Sequence, residues 1–216
     1  MSLGVIASVR DLVPLRPLTY GEHMRIAELQ ANRFLKLVGV SEAAVPERVI
    51  AELPRVQVER MSPFPVSGAT HWSSGRWLVV VNGAEPRVRQ RFSLAHEFKH
   101  ILDHRFADLI YGSFAPADRA VLIEQICDYF AGCLLMPRPW LKTTYADGMQ
   151  HLPTLARHFD VSQAAMQVRL NQIGMTDPLP RCGRPTSDWP VRAIRSSGTN
   201  LYQRAGGREF AASATT

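Results

Sequence analysis

Apolar positions along the chain change their spacing from segment to segment, and each spacing predicts an element. Met24, Ala27, Ala31, Phe34, Leu35 and Val38 recur at helical intervals behind Thr19, whose spacing to Glu22 is that of a capping box. A helix is therefore expected from Thr19 to about Gly39. Residues 46–53 read as a short second helix, and the alternation in Val56-Gln57-Val58 after Pro54 as a brief strand. The strongest strand signal is Trp77-Leu78-Val79-Val80-Val81-Asn82, bounded by Ser73-Ser74-Gly75 and Asn82-Gly83. Helical patterns follow at about 88–104 after Pro86, at 118–136 up to Pro137 and Pro139, and at 152–173.

The segments outside this pattern set the expected boundaries. Residues 1–18 carry Pro14 and Pro17 without sustained periodicity and read as an N-terminal arm. Residues 19–150 form the main domain and 151–176 a small helical module. Residues 177–216, rich in Pro, Gly, Ser, Thr and Arg, are expected to be a disordered tail. Few strands among many helices make the fold class α+β.

Composition narrows the setting. At 216 residues and 46% hydrophobic content, the chain can bury one sizeable core with a small satellite. Arg10 and Asp11 interrupt the N-terminal apolar run before it could form a secretory segment, and charges or prolines break every longer one, so no membrane span is expected. Cys127, Cys133 and Cys182 include no CxxC pair, which argues against a disulfide framework or a cysteine zinc site and fits a cytoplasmic protein. The net charge of +6 rests on scattered arginines, with lysine only at Lys36, Lys99 and Lys142. Such a surface marks no phosphate track.

The chemistry concentrates in His96-Glu97-Phe98-Lys99-His100, an HExxH motif within the third predicted helix, at about 88–104. Spacing of four puts both imidazoles on one face, where they can grip one Zn²⁺ per chain, with Glu97 beside them as the base for an attacking water. A third ligand is required. The metzincin extension needs Gly at 103 and His at 106, but Asp103 and Phe106 stand there. The gluzincin solution takes a glutamate from a following helix, and Glu124 fits, with Asp128 one turn on to accept the free ring N–H of a ligand histidine. His104 lies on the same face but further along, and is expected to pack. Tyr111, between the two ligand helices, is a candidate for stabilising the oxyanion of the tetrahedral intermediate. The 77–82 strand is a candidate edge for pairing with the substrate backbone.

Two blocks make a family resemblance specific. RQRFSLAHEFKHILDH at 89–104 and EQICDYFAGCLLMP at 124–137, preceded by the WLVVVN strand, resemble the signature blocks of the ImmA/IrrE metallopeptidases over about residues 20–175. The resemblance implies a minimal zincin-like (gluzincin) domain, a small sheet packed on the active-site helices followed by a helical module. It also implies action on helix-turn-helix repressors encoded by mobile elements or stress regulons. Phe98-Lys99 stands where the family often has Leu-Gly, and Cys127 where Ala is usual; neither position is read as a ligand, so neither endangers the site.

Residues 155–170 resemble a helix-turn-helix, with Ser162 as N-cap of the second helix and Gln163, Gln167 and Arg169 at recognition positions. Docking of the substrate repressor is favoured over DNA contact, because the module is single and no dimer-forming heptads accompany it. The expected function is a zinc endopeptidase that inactivates a helix-turn-helix repressor. The alternatives are a DNA-binding regulator with a structural zinc, or a toxin–antitoxin component. An intact Glu97 argues against the former, since a structural site needs no base.

Overall fold

The computed structural model describes residues 3–175. The expected disordered tail at 177–216 lies outside them.

Helix α1 (Leu3–Arg10) occupies the segment expected to be an arm. Val9, Val13 and Leu18 are buried, and Arg10 donates to the carbonyls of Ile101 (2.6 Å) and Leu102 (3.2 Å). These carbonyls close the last turns of a later helix, where a cation is favourably placed. The segment is helical rather than an irregular arm, with Val5 and Ile6 packed against the core beside the buried Val9, a run too short before Pro14 to show as a sustained period. Helix α2 (Tyr20–Val38) forms as read: Thr19 Oγ1 accepts from Glu22 N, Glu22 accepts from Thr19 N at 2.9 Å, and Gly39 ends the helix at φ 72°. The short α3 (Arg48–Ala51) follows.

The sheet has three strands, β1 (Val56–Met61), β2 (Gly68–Ser73) and β3 (Arg76–Asn82), in the order β1-β3-β2. β1 runs parallel to β3, with Val56 opposite Trp77, and β2 antiparallel to it, with Gly68 opposite Val81. The β2–β3 hairpin turns through Ser74 and Gly75, both at positive φ, as a tight twisted hairpin requires. The 77–82 strand is thus central, paired on both sides, and has no free edge for a substrate. β2 is an edge strand instead. It escaped notice because Gly68-Ala69-Thr70-His71-Trp72-Ser73 is mostly exposed and shows no apolar alternation.

Beyond the sheet come α4 (Arg87–Asp103), α5 (Ala107–Ile110), α6 (Pro116–Leu135), α7 (Arg138–Ala146), α8 (Leu152–His158) and α9 (Gln163–Gln172). Pro137 and Pro139, read as the stop of α6, also open α7, where proline suits the first turn. α4 packs between the sheet and the α2–α6 layer. Phe98 is the hub, its ring 4.8 Å from that of Phe34 on α2 and 6.1 Å from that of Phe130 on α6. No single helix among the described residues is long and apolar enough to cross a membrane.

The α8–α9 pair is tied to the rest of the domain. Ser162 caps α9 by accepting from Ala165 N at 3.1 Å. The buried Arg91 of α4 pairs with the Asp160 carboxylate at 2.8 Å and donates to the Val45 carbonyl at 2.6 Å. Arg169, expected to reach bases or a docked partner, is 1% exposed; its guanidinium donates to the Met136 carbonyl (3.1 Å) and to Glu28 (3.3 Å). That position is the inner face of α9, so a contact role for Arg169 does not hold. Gln163 and Gln167 remain exposed.

Candidate metal centre

The buried side of α4, lined by Phe98, Ile101 and Leu102, fixes the rotation of the helix in the core. His96 and His100 consequently emerge together toward α6. From α6, whose own face is set by Ile126 and Phe130, Glu124, Cys127 and Asp128 point back at them. The two Nε2 atoms are 3.2 Å apart. Glu124 places Oε2 3.2 Å from His96 Nε2 and Oε1 3.5 Å from His100 Nε2. Two bonds of about 2.05 Å at a tetrahedral angle separate their donor atoms by roughly 3.3 Å. The three side chains thus already stand at the spacing of ligands around one Zn²⁺-sized ion, and the borderline donor set of two imidazoles and a carboxylate suits that metal.

The surroundings complete the arrangement. Asp128 Oδ1 accepts from His96 Nδ1 at 2.8 Å, which leaves Nε2 free to act as a donor atom toward a cation. Glu97 is 7% exposed, and its Oε2 accepts from Thr70 Oγ1 of β2 at 2.6 Å. Gly68 of β2 lies against the same carboxylate: a Cβ there would stand 3.0 Å from Glu97 Oε1 and 3.1 Å from Cγ, so a side chain would push Glu97 away. β2 therefore holds the Glu97 carboxylate from one side while α4 presents it from the other.

Charge follows this geometry. Burial lowers the pKa of His96, but the bonds to Asp128 and Glu124 outweigh it and lift the pKa to about 9. Burial and the neighbouring His96 push His100 down, while the bond from His96 holds Glu124 low. Burial raises the Cys127 thiol well above its ordinary range.

A cleft crosses the centre. A 440 Å³ cavity is lined by Thr70, Trp77, His100, His104, Ile123 and Cys127, and a 300 Å³ one by Val66, Phe92, His96 and Asp128. Gly68, Glu97 and Glu124 line both, so the two cavities adjoin the candidate metal ligands. Glu124 is 62% exposed at its side chain, leaving the centre open to solvent.

Tyr111 departs from expectation. It is fully buried, its ring stacks on His23 at 4.2 Å, and its hydroxyl donates to Asp103 Oδ2 at 2.7 Å. Tyr111 and Asp103 both line the 440 Å³ cavity, but a hydroxyl committed to Asp103 is not free to stabilise an oxyanion. His104 packs edge-on against Trp77, centroids 4.9 Å apart. Thr70 and Gly68 went unnoticed in the sequence because nothing local marks them; the β2–β3 pairing alone brings them to Glu97. Cys127 had a readable signal, its position three residues after Glu124 on one helical face.

The sequence pattern of the IrrE N-terminal-like domain, the peptidase M78 family, matches residues 53–171. Among curated proteins, none matches the chain. Among solved structures, a Mycobacterium tuberculosis transcriptional regulator superposes with a TM-score of 0.58 at 19% identity, over 82% of this chain and 53% of that one. At that identity the likeness is one of fold, and this chain spans about half the length of that protein. The family match runs from just before β1 into α9 and takes in α4, α6 and more than half of the sequence; the chain belongs to the M78 peptidase family and carries its metallopeptidase-type, IrrE N-terminal-like domain.

Proposed function

We propose that this protein is a zinc-dependent endopeptidase that cuts a helix-turn-helix transcriptional repressor. The observation that carries the reading is the triangle of His96, His100 and Glu124 donors at 3.2 to 3.5 Å, with a buried, oriented carboxylate beside it. A site that only held structure would need no Glu97 clamped by Thr70 and Gly68.

His96, His100 and Glu124 hold the metal, and Asp128 keeps His96 in the required tautomer. Zn²⁺ bound there would supply a Lewis acid for the scissile carbonyl and would bring the pKa of an attacking water toward about 7. Glu97 takes the proton from that water and returns it to the leaving amine. Thr70 occupies Oε2 of Glu97, so Oε1 is the oxygen that carries the proton. β2, an edge strand beside the cleft, offers unpaired backbone groups along which an extended substrate segment can align. The two cavities adjoining the centre suit side chains on either side of the scissile bond.

Substrate choice rests on the family and on the exposed outer face of α9, where Gln163 and Gln167 can meet a docked repressor. DNA binding by α9 is the weaker reading, because Arg169 is internal. The test is co-incubation of the zinc-loaded protein with a helix-turn-helix repressor encoded beside it. Wild type is expected to give a single cut, and Glu97→Gln to keep its metal while cleavage falls by orders of magnitude. Promoter release by Glu97→Gln with the repressor intact would defeat the proteolytic mechanism.

A further inference from the structure

The centre holds one donor more than the proposed peptidase requires. Cys127 is 1% exposed and lies at the floor of the 440 Å³ cavity, one helical turn after Glu124 on the same face of α6. Its Sγ and one ring nitrogen each of His96 and His100 all lie within 4.8 Å of one another. Bonds of about 2.3 Å to sulfur and 2.05 Å to nitrogen at a tetrahedral angle separate the two donor atoms by roughly 3.6 Å. Relative to the two imidazole nitrogens, the thiol therefore needs to close by no more than about 1.2 Å, within reach of small side-chain rotations.

We propose that Cys127 is a fourth protein ligand of the metal held by His96, His100 and Glu124. This rests on the metal reading of the site above. On ligation the S–H bond breaks, the proton leaves to solvent, and a sulfur lone pair forms the bond to the metal; nothing is oxidised or reduced. Four protein donors fill a tetrahedral shell, the closed arrangement of structural sites, whereas hydrolysis needs an open position. Cys127 ligation thus holds the centre latent, and the active form is the one in which the thiol has let go. Sulfur also biases the site toward soft and borderline ions over Mg²⁺, Ca²⁺ and Mn²⁺.

Cobalt(II) loaded into the full chain tests this by spectrum as well as by activity. The expected result is one cobalt per chain with a thiolate-to-cobalt charge-transfer absorption in the near ultraviolet. That band disappears in Cys127→Ala and in the better-filling Cys127→Ser, both of which still bind cobalt and cleave faster than wild type. Cobalt bound through His96, as shown by its loss in His96→Ala, but without the band in wild type would overturn the proposal while leaving the metal reading intact. Persistence of the band in Cys127→Ala would overturn it too, by tracing the sulfur to another cysteine. Failure of wild type to bind cobalt or zinc at all would overturn the metal reading and this proposal with it.

Discussion

Lys99 sits inside the HExxH motif yet faces away from the metal ligands, and its replacement tests how the motif helix is held. It is 2% exposed, with Nζ 2.6 Å from Asp103 Oδ1 and 2.8 Å from Gln30 Oε1. Asp103, 4% exposed, also accepts from the Tyr111 hydroxyl at 2.7 Å. Lys99→Met keeps the aliphatic stem and removes the charge, leaving a buried carboxylate with one neutral donor. Removing one partner of a buried pair costs about 3–5 kcal/mol, and the surviving Tyr111 bond places this case near the lower end, about 3 kcal/mol. For a domain of this size that is a fall in Tm of roughly 6–12 °C. Asp103→Asn on top of Lys99→Met replaces the stranded charge with an amide that still accepts from Tyr111, so the double variant is expected to recover at least about 1 kcal/mol. Urea unfolding of the wild type, both singles and the double gives the coupling directly, provided the m-values agree. A loss below about 1 kcal/mol in Lys99→Met, or strict additivity in the cycle, would refute a buried, mutually dependent pair.

Three further outcomes follow from contacts already described. Asp128→Ala removes the acceptor of His96 Nδ1–H and is expected to weaken zinc binding about 10–100-fold in a chelator competition; affinity within twofold of wild type would show that the tautomer is set elsewhere. Arg169→Ala takes a buried guanidinium from the Met136 carbonyl and Glu28 and is expected to cost about 2–3 kcal/mol in denaturant unfolding; a normal stability with impaired DNA binding would return the residue to a recognition role. His23, lowered from 6.5 by burial and then by the Lys99 charge against a weaker pull from Asp103, stays neutral in the fold while the unfolded chain takes up a proton. Its stabilising effect is therefore complete above about pH 6.5 and declines as the pH falls below it. His23→Phe, which keeps the stacking on Tyr111, should flatten that part of the Tm–pH profile, and an unchanged slope between pH 7 and 5 would assign it to other groups.

Elements whose signal is local were legible in the chain itself. The Thr19–Glu22 cap, the apolar stripe of α2, the run at Trp77–Val81 and the proline-bounded helices carry their own spacing and end signals. The chemistry was legible for the same reason, since HExxH and the Glu124–Asp128 pair are fixed intervals on two helices, and a helix turns interval into direction. Tertiary packing decided the rest. β2 has no apolar alternation and exists by pairing with β3, and that pairing makes β3 central and brings Gly68 and Thr70 to Glu97. α1 is held by Val9 and by Arg10 on carbonyls more than ninety residues away in the chain. Which side of α9 faces inward was invisible to its polar composition, and burial against α6, with Glu28 of α2 as ion partner, turned Arg169 from a surface contact into an internal tie. Tyr111 lines the cleft as its place in the sequence suggested, but only the packing shows that its hydroxyl is committed to Asp103. Direction within an element follows from the chain's own period, whereas the partner across a gap is set only when the core closes and each polar group must find whatever donor or acceptor the packing leaves within reach.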